Sequence, residues 1–295
     1  MLRARTVSCI LTLAASSFAS PQSPVPPPDI PALVRKTVDN EVSKAPVSEH
    51  FMFRGTNTTL KGSTTKLYVE SREGTADMAI AYNGKPLTPE QRQAEEARVS
   101  RFVSSPDELK KKRKQEQEDE DRSMRIIGAM PNAFLFEYAG EEPGTTELGK
   151  PGDPLVKLNF RPNPAYDPPS RVEQILTGME GVMLIDAAHH RLALIDGTLF
   201  RDVGFGWGIL GRLDRGGHFL VQQRMIGENR WDICRMDLAF EGRILLVKHF
   251  SMHETEAYSD YQPVPPDLTF AQAVEMIKKE TTRAENSTTS RLAEK

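Results

Sequence analysis

The chain has 295 residues, with 38 Lys and Arg against 41 Asp and Glu, for a formal net charge of −3. That mild acidity argues against a nucleic-acid partner gripped through phosphates. Two cysteines exclude a disulfide framework and a cysteine zinc cage.

Residues 1–19 read as a secretory leader. Arg3 and Arg5 supply the positive start, and 7–18 is an apolar run too short to span a bilayer. Ser17, Phe18 and Ala19 place small residues where a signal peptidase reads, so cleavage is expected after Ala19. The competing reading, a buried helix, lacks a polar face and runs at once into prolines. The expected location is the periplasm or the medium. Cys9 leaves with the leader, and Cys234 stays as a lone thiol that reads as a small buried apolar residue. Removing Arg3 and Arg5 leaves 36 basic residues against 41 acidic, a charge of −5. No later stretch approaches the roughly 18 apolar residues a membrane helix needs.

Residues 20–28 carry five prolines and read as an extended tether. Asp29 then caps a helix with Pro31 in its first turn, and Ile30, Leu33, Val34 and Val38 share one face. From Lys66 the period changes to two. Leu67, Val69 and Ser71 alternate with polar neighbours, Ala76 to Tyr82 continue the pattern, and Asn83-Gly84 marks a turn.

Thr88-Pro89-Glu90-Gln91 is a helix start with a capping box, and Ser105-Pro106-Asp107-Glu108 repeats it. The insertion 88–128 is almost wholly charged, with a basic block at 110–114 and an acidic one at 116–121. Such a pair projects into water or clamps an edge of the body. Interleaved acids favour a solvated face over a membrane-binding patch.

Strand spacing returns at Phe134, Phe136 and Tyr138, and at Val156, Leu158 and Phe160. A short helix is expected from Arg171. Strands follow at 182–187, 191–195, 218–226, 231–240 and 244–252. Gly227-Glu228-Asn229 and Glu241-Gly242 read as hairpin links. Short consecutive links favour an antiparallel meander. A last helix starts near Thr269, and 284–295 reads as a flexible polar tail. Residues 29–283 thus form one domain.

Candidate chemistry is thin. His189 and His190 are adjacent near Asp186, but neighbours on a strand face opposite ways, so both are placed in a turn. His249 and His253 share a face at roughly 13 Å, too far for one ion. Asp186 and Asp196 read as strand ends. No nucleophile elbow or H-E-x-x-H helix occurs. No catalytic residue, metal or cofactor is expected. His189, His190 and Asp186 are the best candidates if the chain is an enzyme.

Gly204-Phe205-Gly206-Trp207-Gly208 puts glycines on one strand face and two aromatics on the other. That suits a bulge at a sheet corner, or a cleft wall for an apolar ligand. Ile244, Leu246, Phe250 and Met252 line one face of the expected strand 244–252. With Phe205 and Trp207 they form the expected wall of an apolar ligand cavity.

Phe160-Arg161-Pro162-Asn163-Pro164-Ala165-Tyr166-Asp167-Pro168, Val182 to Asp186, Gly206 to Leu213 and Tyr258-Ser259-Asp260-Tyr261 carry a resemblance. They resemble a group of exported bacterial proteins of unassigned activity. Those proteins are distantly similar to the outer-membrane lipoprotein carriers and receptors. The resemblance covers 47–261. It implies an α+β fold, mainly antiparallel β: a strongly curved open sheet, or half-barrel, with helices across its concave face and the charged pair projecting. It also implies a carrier for lipid, acylated or other apolar ligands. The alternative partner is an envelope protein met through the helices at 89–124.

Overall fold

The computed structural model describes residues 29–43, 49–205, 211–228, 230–244 and 248–293, with backbone only at Ile244 and 284–293. The leader and the tether lie outside the described residues.

Helix α1 (Ile30–Val42) begins where Asp29 caps it, the Asp29 Oδ1 accepting from Ala32 N at 3.2 Å. Leu33, Val34 and Val38 are its buried stripe. Strands β1 (His50–Thr59), β2 (Gly62–Ser71) and β3 (Gly74–Tyr82) follow as hairpins, then a two-residue β4 (Lys85–Pro86). Helix α2 (Pro89–Ser104) starts with the full capping box: Thr88 Oγ1 accepts from Gln91 N, and Gln91 Oε1 accepts from Thr88 N. Helix α3 (Pro106–Ala133) runs directly into β5 (Phe134–Pro143).

Next come β6 (Pro154–Pro162), a 3₁₀ segment (Glu173–Gly178) where a short helix was expected, β7 (Met179–Asp186) and β8 (Arg191–Leu199). Two short strands, β9 (Val203–Phe205) and β10 (Gly211–Leu213), precede β11 (His218–Met225) and the long pair β12 (Trp231–Ile244) and β13 (Lys248–Val264). Helix α4 (Phe270–Ala293) closes the chain. It runs on past 284, where the polar tail was expected, because polar residues without Gly or Pro do not stop a helix.

Among the described residues, thirteen strands form one open sheet in the order β4-β3-β2-β1-β13-β12-β11-β8-β7-β6-β5, with β9 and β10 on the end of β12. Every ladder between named strands is antiparallel. The fold is therefore α+β and mainly antiparallel β, with the meander running from β5 through β13.

The described core falls into three clusters, and strand parity sorts the two larger ones onto opposite faces. Met52, Val69 and Ala76 are register partners, and Leu67 pairs with Met78. Their common face is buried by Phe270, Ala273, Val274 and Ile277 of α4, with Val99 of α2. On β12, Phe240 and Leu238 sit opposite Met252 and Glu254 of β13. Alternation along β13 and β1 puts this second face on the other side of the sheet. There α1 and the end of α3 bury Leu158, Phe160, Met183, Ile185, Ile195 and Leu199. Residues of α4 and α2 thus pack with one cluster, and α1 with the end of α3 pack with the other. Only a register count across β13 makes their opposite placement visible.

The charged pair is anchored at one sheet edge, one of the two placements expected of it. β4 covers only Ala81 and Tyr82 of β3. The rest of that edge is capped by side chains. Glu95 accepts from Ala79 N at 3.1 Å, Arg98 donates to Asp77 O at 2.8 Å, and Lys112 donates to Thr75 O at 3.0 Å. A bare edge would expose these groups to foreign strands. The basic block of the insertion thus supplies a structural contact.

Burial would raise the Asp77 carboxyl, but Lys66, Arg98 and Lys112 outweigh it and hold the group below the usual carboxylate range. Its stabilising effect is therefore complete above the unfolded value and lost as pH falls through the folded one. Arg98→Ala should cost about 1–3 kcal/mol in urea unfolding. Asp77→Asn should destabilise at pH 7, with the gap to wild type closing below about pH 4. A gap that stays constant to pH 2 would contradict the pairing.

Candidate functional site

Of the residues expected to form an apolar wall, those that the structure describes are brought onto one face by strand pairing rather than along one strand. Ile244 is the last residue of β12 and pairs with Lys248, so the expected strand 244–252 is two strands. Residues 245–247 between them lie outside the described residues, and Glu241-Gly242 lies inside β12 rather than in a hairpin link. Gly242 is there for close approach. A Cβ on it would stand 2.2 Å from the Arg212 carbonyl oxygen and 2.7 Å from the Phe250 ring. Trp207 and Leu246 lie outside the described residues.

Four of the six expected residues still share one side of one ladder. Phe205 pairs with Gly211, and Gly211 with Ile244. The adjacent row holds Val203, Leu213, Gly242 and Phe250, and the next holds Phe240 and Met252. By alternation this is the face that α1 and α3 bury further along. Phe205 is half-buried against that core. Phe240 is 6% exposed, while its partner Met252 is 36% exposed. The apolar face therefore leaves the core and comes out to solvent at the β12–β13 end. Val203, Leu213 and Phe240 were missed as members of the wall. Phe240 was in an expected strand, but its facing partner is not local in sequence.

Farther along the same face the character changes. Phe53 stacks on Tyr68 and Tyr261, with ring centroids 5.1 Å apart in each pair. Tyr258 donates to Glu256 Oε2 at 2.6 Å. Burial, with Asp77 close by, pushes the Tyr68 phenol up to about 12. A cleft of about 300 Å³ here is lined by Asn57, Thr64, Lys66 and Glu256 besides the tyrosines.

The histidines separate. His189 and His190 fall between β7 and β8, as expected of turn residues. His190 adopts a positive φ of 50°, and its carbonyl accepts from Asn40 Nδ2 at 3.2 Å. Desolvation and Lys36 hold its imidazole below the usual range. His189 turns to Asp186 instead. Asp186 Oδ1 accepts from His189 N at 2.8 Å and faces His189 Nδ1 at 3.0 Å. Asp153 Oδ2 approaches the same ring nitrogen at 3.5 Å. Asp153 went unnoticed because the loop 144–153 carries it across the sheet. His249 and His253 are exposed on β13. Asp196 is an interior residue of β8, not a strand end, and pairs with His218 at 2.8 Å.

The Pro-rich stretch after β6 is built by Asn163. Its Nδ2 donates to Asn132 O at 2.9 Å, and its Oδ1 accepts from Ala165 N at 3.1 Å. It borders a cleft of about 480 Å³ with α1 and β5. Comparison of the chain with protein-family models, curated proteins and solved structures finds no match.

Gly242→Ala tests the paired wall. The methyl would collide with backbone across β10, so unfolding stability should fall by about 1–3 kcal/mol. An unchanged denaturation midpoint would contradict the pairing of Gly242 with Phe250.

Proposed function

We propose that the protein is an exported, non-enzymatic carrier or binding module that takes an acylated or otherwise apolar ligand on the face bearing Phe205, Ile244, Phe250 and Met252. The observation that carries this reading is the exposed end of that face. Met252 is 36% exposed in register with the buried Phe240. Its burial by an acyl chain would be favourable at about 25 cal/mol per Å².

The proposal includes a bent sheet. Lys112 touches β3, and Ala133 leads into β5, so α3 joins opposite ends of the sheet. Residues 112 to 133 of a helix span about 32 Å. Nine strand spacings from β3 to β5 would take about 43 Å if flat. A chord shorter than its arc supports curvature toward α3. A cleft of about 690 Å³ opens at the middle of α3, lined by Glu118, Asp121, Arg122, Met124 and Arg125. In this reading acyl chains lie on the sheet, and the charged helix meets a polar headgroup.

The resemblance to exported proteins that are distantly similar to lipoprotein carriers points to the same reading. The alternative is an envelope partner met on the exposed charged faces of α2 and α3; since both helices also tie down β3, deleting them would uncover that edge.

Native mass spectrometry of gently purified protein should find co-purified lipid, released on organic extraction. Met252→Glu should lower the bound fraction at least tenfold with an unchanged circular dichroism spectrum. Lipid-free wild-type protein that also ignores a fluorescent fatty acid would refute the proposal.

A further inference from the structure

We propose that Asp153, Asp186 and His189 form a binding site for a first-row divalent cation of the zinc or manganese type. The site lies at the turn between β7 and β8, independent of the apolar wall.

The three side chains each offer one donor atom, and those atoms lie within 4.8 Å of one another. His189 Nδ1 stands 3.0 Å from Asp186 Oδ1 and 3.5 Å from Asp153 Oδ2. Zinc bonds of about 2.0–2.2 Å put two tetrahedral ligands about 3.3–3.5 Å apart, so the observed spacings bracket a coordination edge.

Hydrogen bonding alone leaves this group incomplete. The ring nitrogen carries at most one proton and can satisfy one carboxylate. Asp186 is fully buried, and its Oδ2 has no hydrogen-bond partner. A buried carboxylate oxygen without a donor calls for an ion or a water. Lys150 Nζ lies 3.6 Å from Asp153 Oδ2 and offsets part of the charge. It does not hydrogen-bond Asp186 Oδ2. A divalent ion chelated by both Asp186 oxygens would satisfy Oδ2 and meet Asp153 and His189 as well.

The ligands are held in place. Gly144 N donates to Asp153 O at 2.8 Å, and Gly152 N donates to Gly144 O at 3.1 Å, closing the loop that carries Asp153. Gly149 N donates to Gln223 O at 2.9 Å, and Met225 N donates to Gly149 O at 3.1 Å, fixing that loop to β11. The Trp231 ring stands 5.8 Å from the His189 ring and walls one side. One imidazole with two carboxylates suits zinc or manganese better than all-oxygen calcium or magnesium sites. Three protein ligands leave a fourth position for water.

The test is isothermal titration of tag-free, chelator-stripped full chain with zinc chloride and with manganese chloride. Wild type should bind one ion of at least one metal saturably. Asp153→Asn and His189→Gln should each weaken binding at least tenfold, and His218→Gln should leave it unchanged. Asp153 sits on a part-exposed loop, so its variant should stay folded even where Asp186→Asn does not. Circular dichroism checks each variant. No saturable binding to wild type, or equal binding by the folded Asp153→Asn and His189→Gln variants, would overturn the site.

Discussion

The structure depends on the double pairing of β13. This 17-residue strand hydrogen-bonds β12 along one edge and β1 along the other. Without it, the β1–β3 hairpins and the β5–β12 meander would be separate sheets with separate cores. A single bulge between Met52 and Arg54 adjusts the β1 register. Beyond the bulge, alternation holds, and each residue's face follows from its partner. The two cores fall on opposite sides for that reason. α4 can then shield Met52 and Val69, while α1 shields Leu158 and Met183.

Buried charge marks where the helices and loops are fastened. Glu41, at the end of α1, accepts from Leu192 N at 2.9 Å and meets Arg191 at 3.3 Å. Burial raises its carboxyl despite Arg191. Glu70 accepts from Phe51 N and from Arg230, and it too is raised chiefly by burial. Removing one partner from such a pair strands the other, so these contacts hold position more than they add net stability. The clamp on β3 follows the same logic, with Asp77 compensated by three cations.

Local signals were legible, and partnerships were not. Asp29, Thr88 and Ser105 announce their helices because a cap needs only residues within four positions. Leu67 with Val69, and Leu158 with Phe160, show their strands by period two. Glu241-Gly242 was misread because a glycine that admits the Phe250 ring looks, in sequence, like one that turns the chain. β1 was passed over, since Asn57, Thr58 and Thr59 dilute its apolar start. Asp153 and His189 meet only because the loop 144–153 folds across β11. Phe205, Ile244, Phe250 and Met252 nevertheless fall on one side of the ladder. An apolar residue that alternates correctly shares a face with its register partners even when the turn is placed wrongly.

The central claim is that this one apolar face, at the β12–β13 end, accepts the ligand. Photo-crosslinking with a diazirine fatty acid, followed by peptide mapping, addresses it directly. The account predicts labels concentrated at 203–205 and 248–252, suppressed by excess unlabelled fatty acid. Labels confined to the opposite face, at 144–153 or on α4, would contradict it.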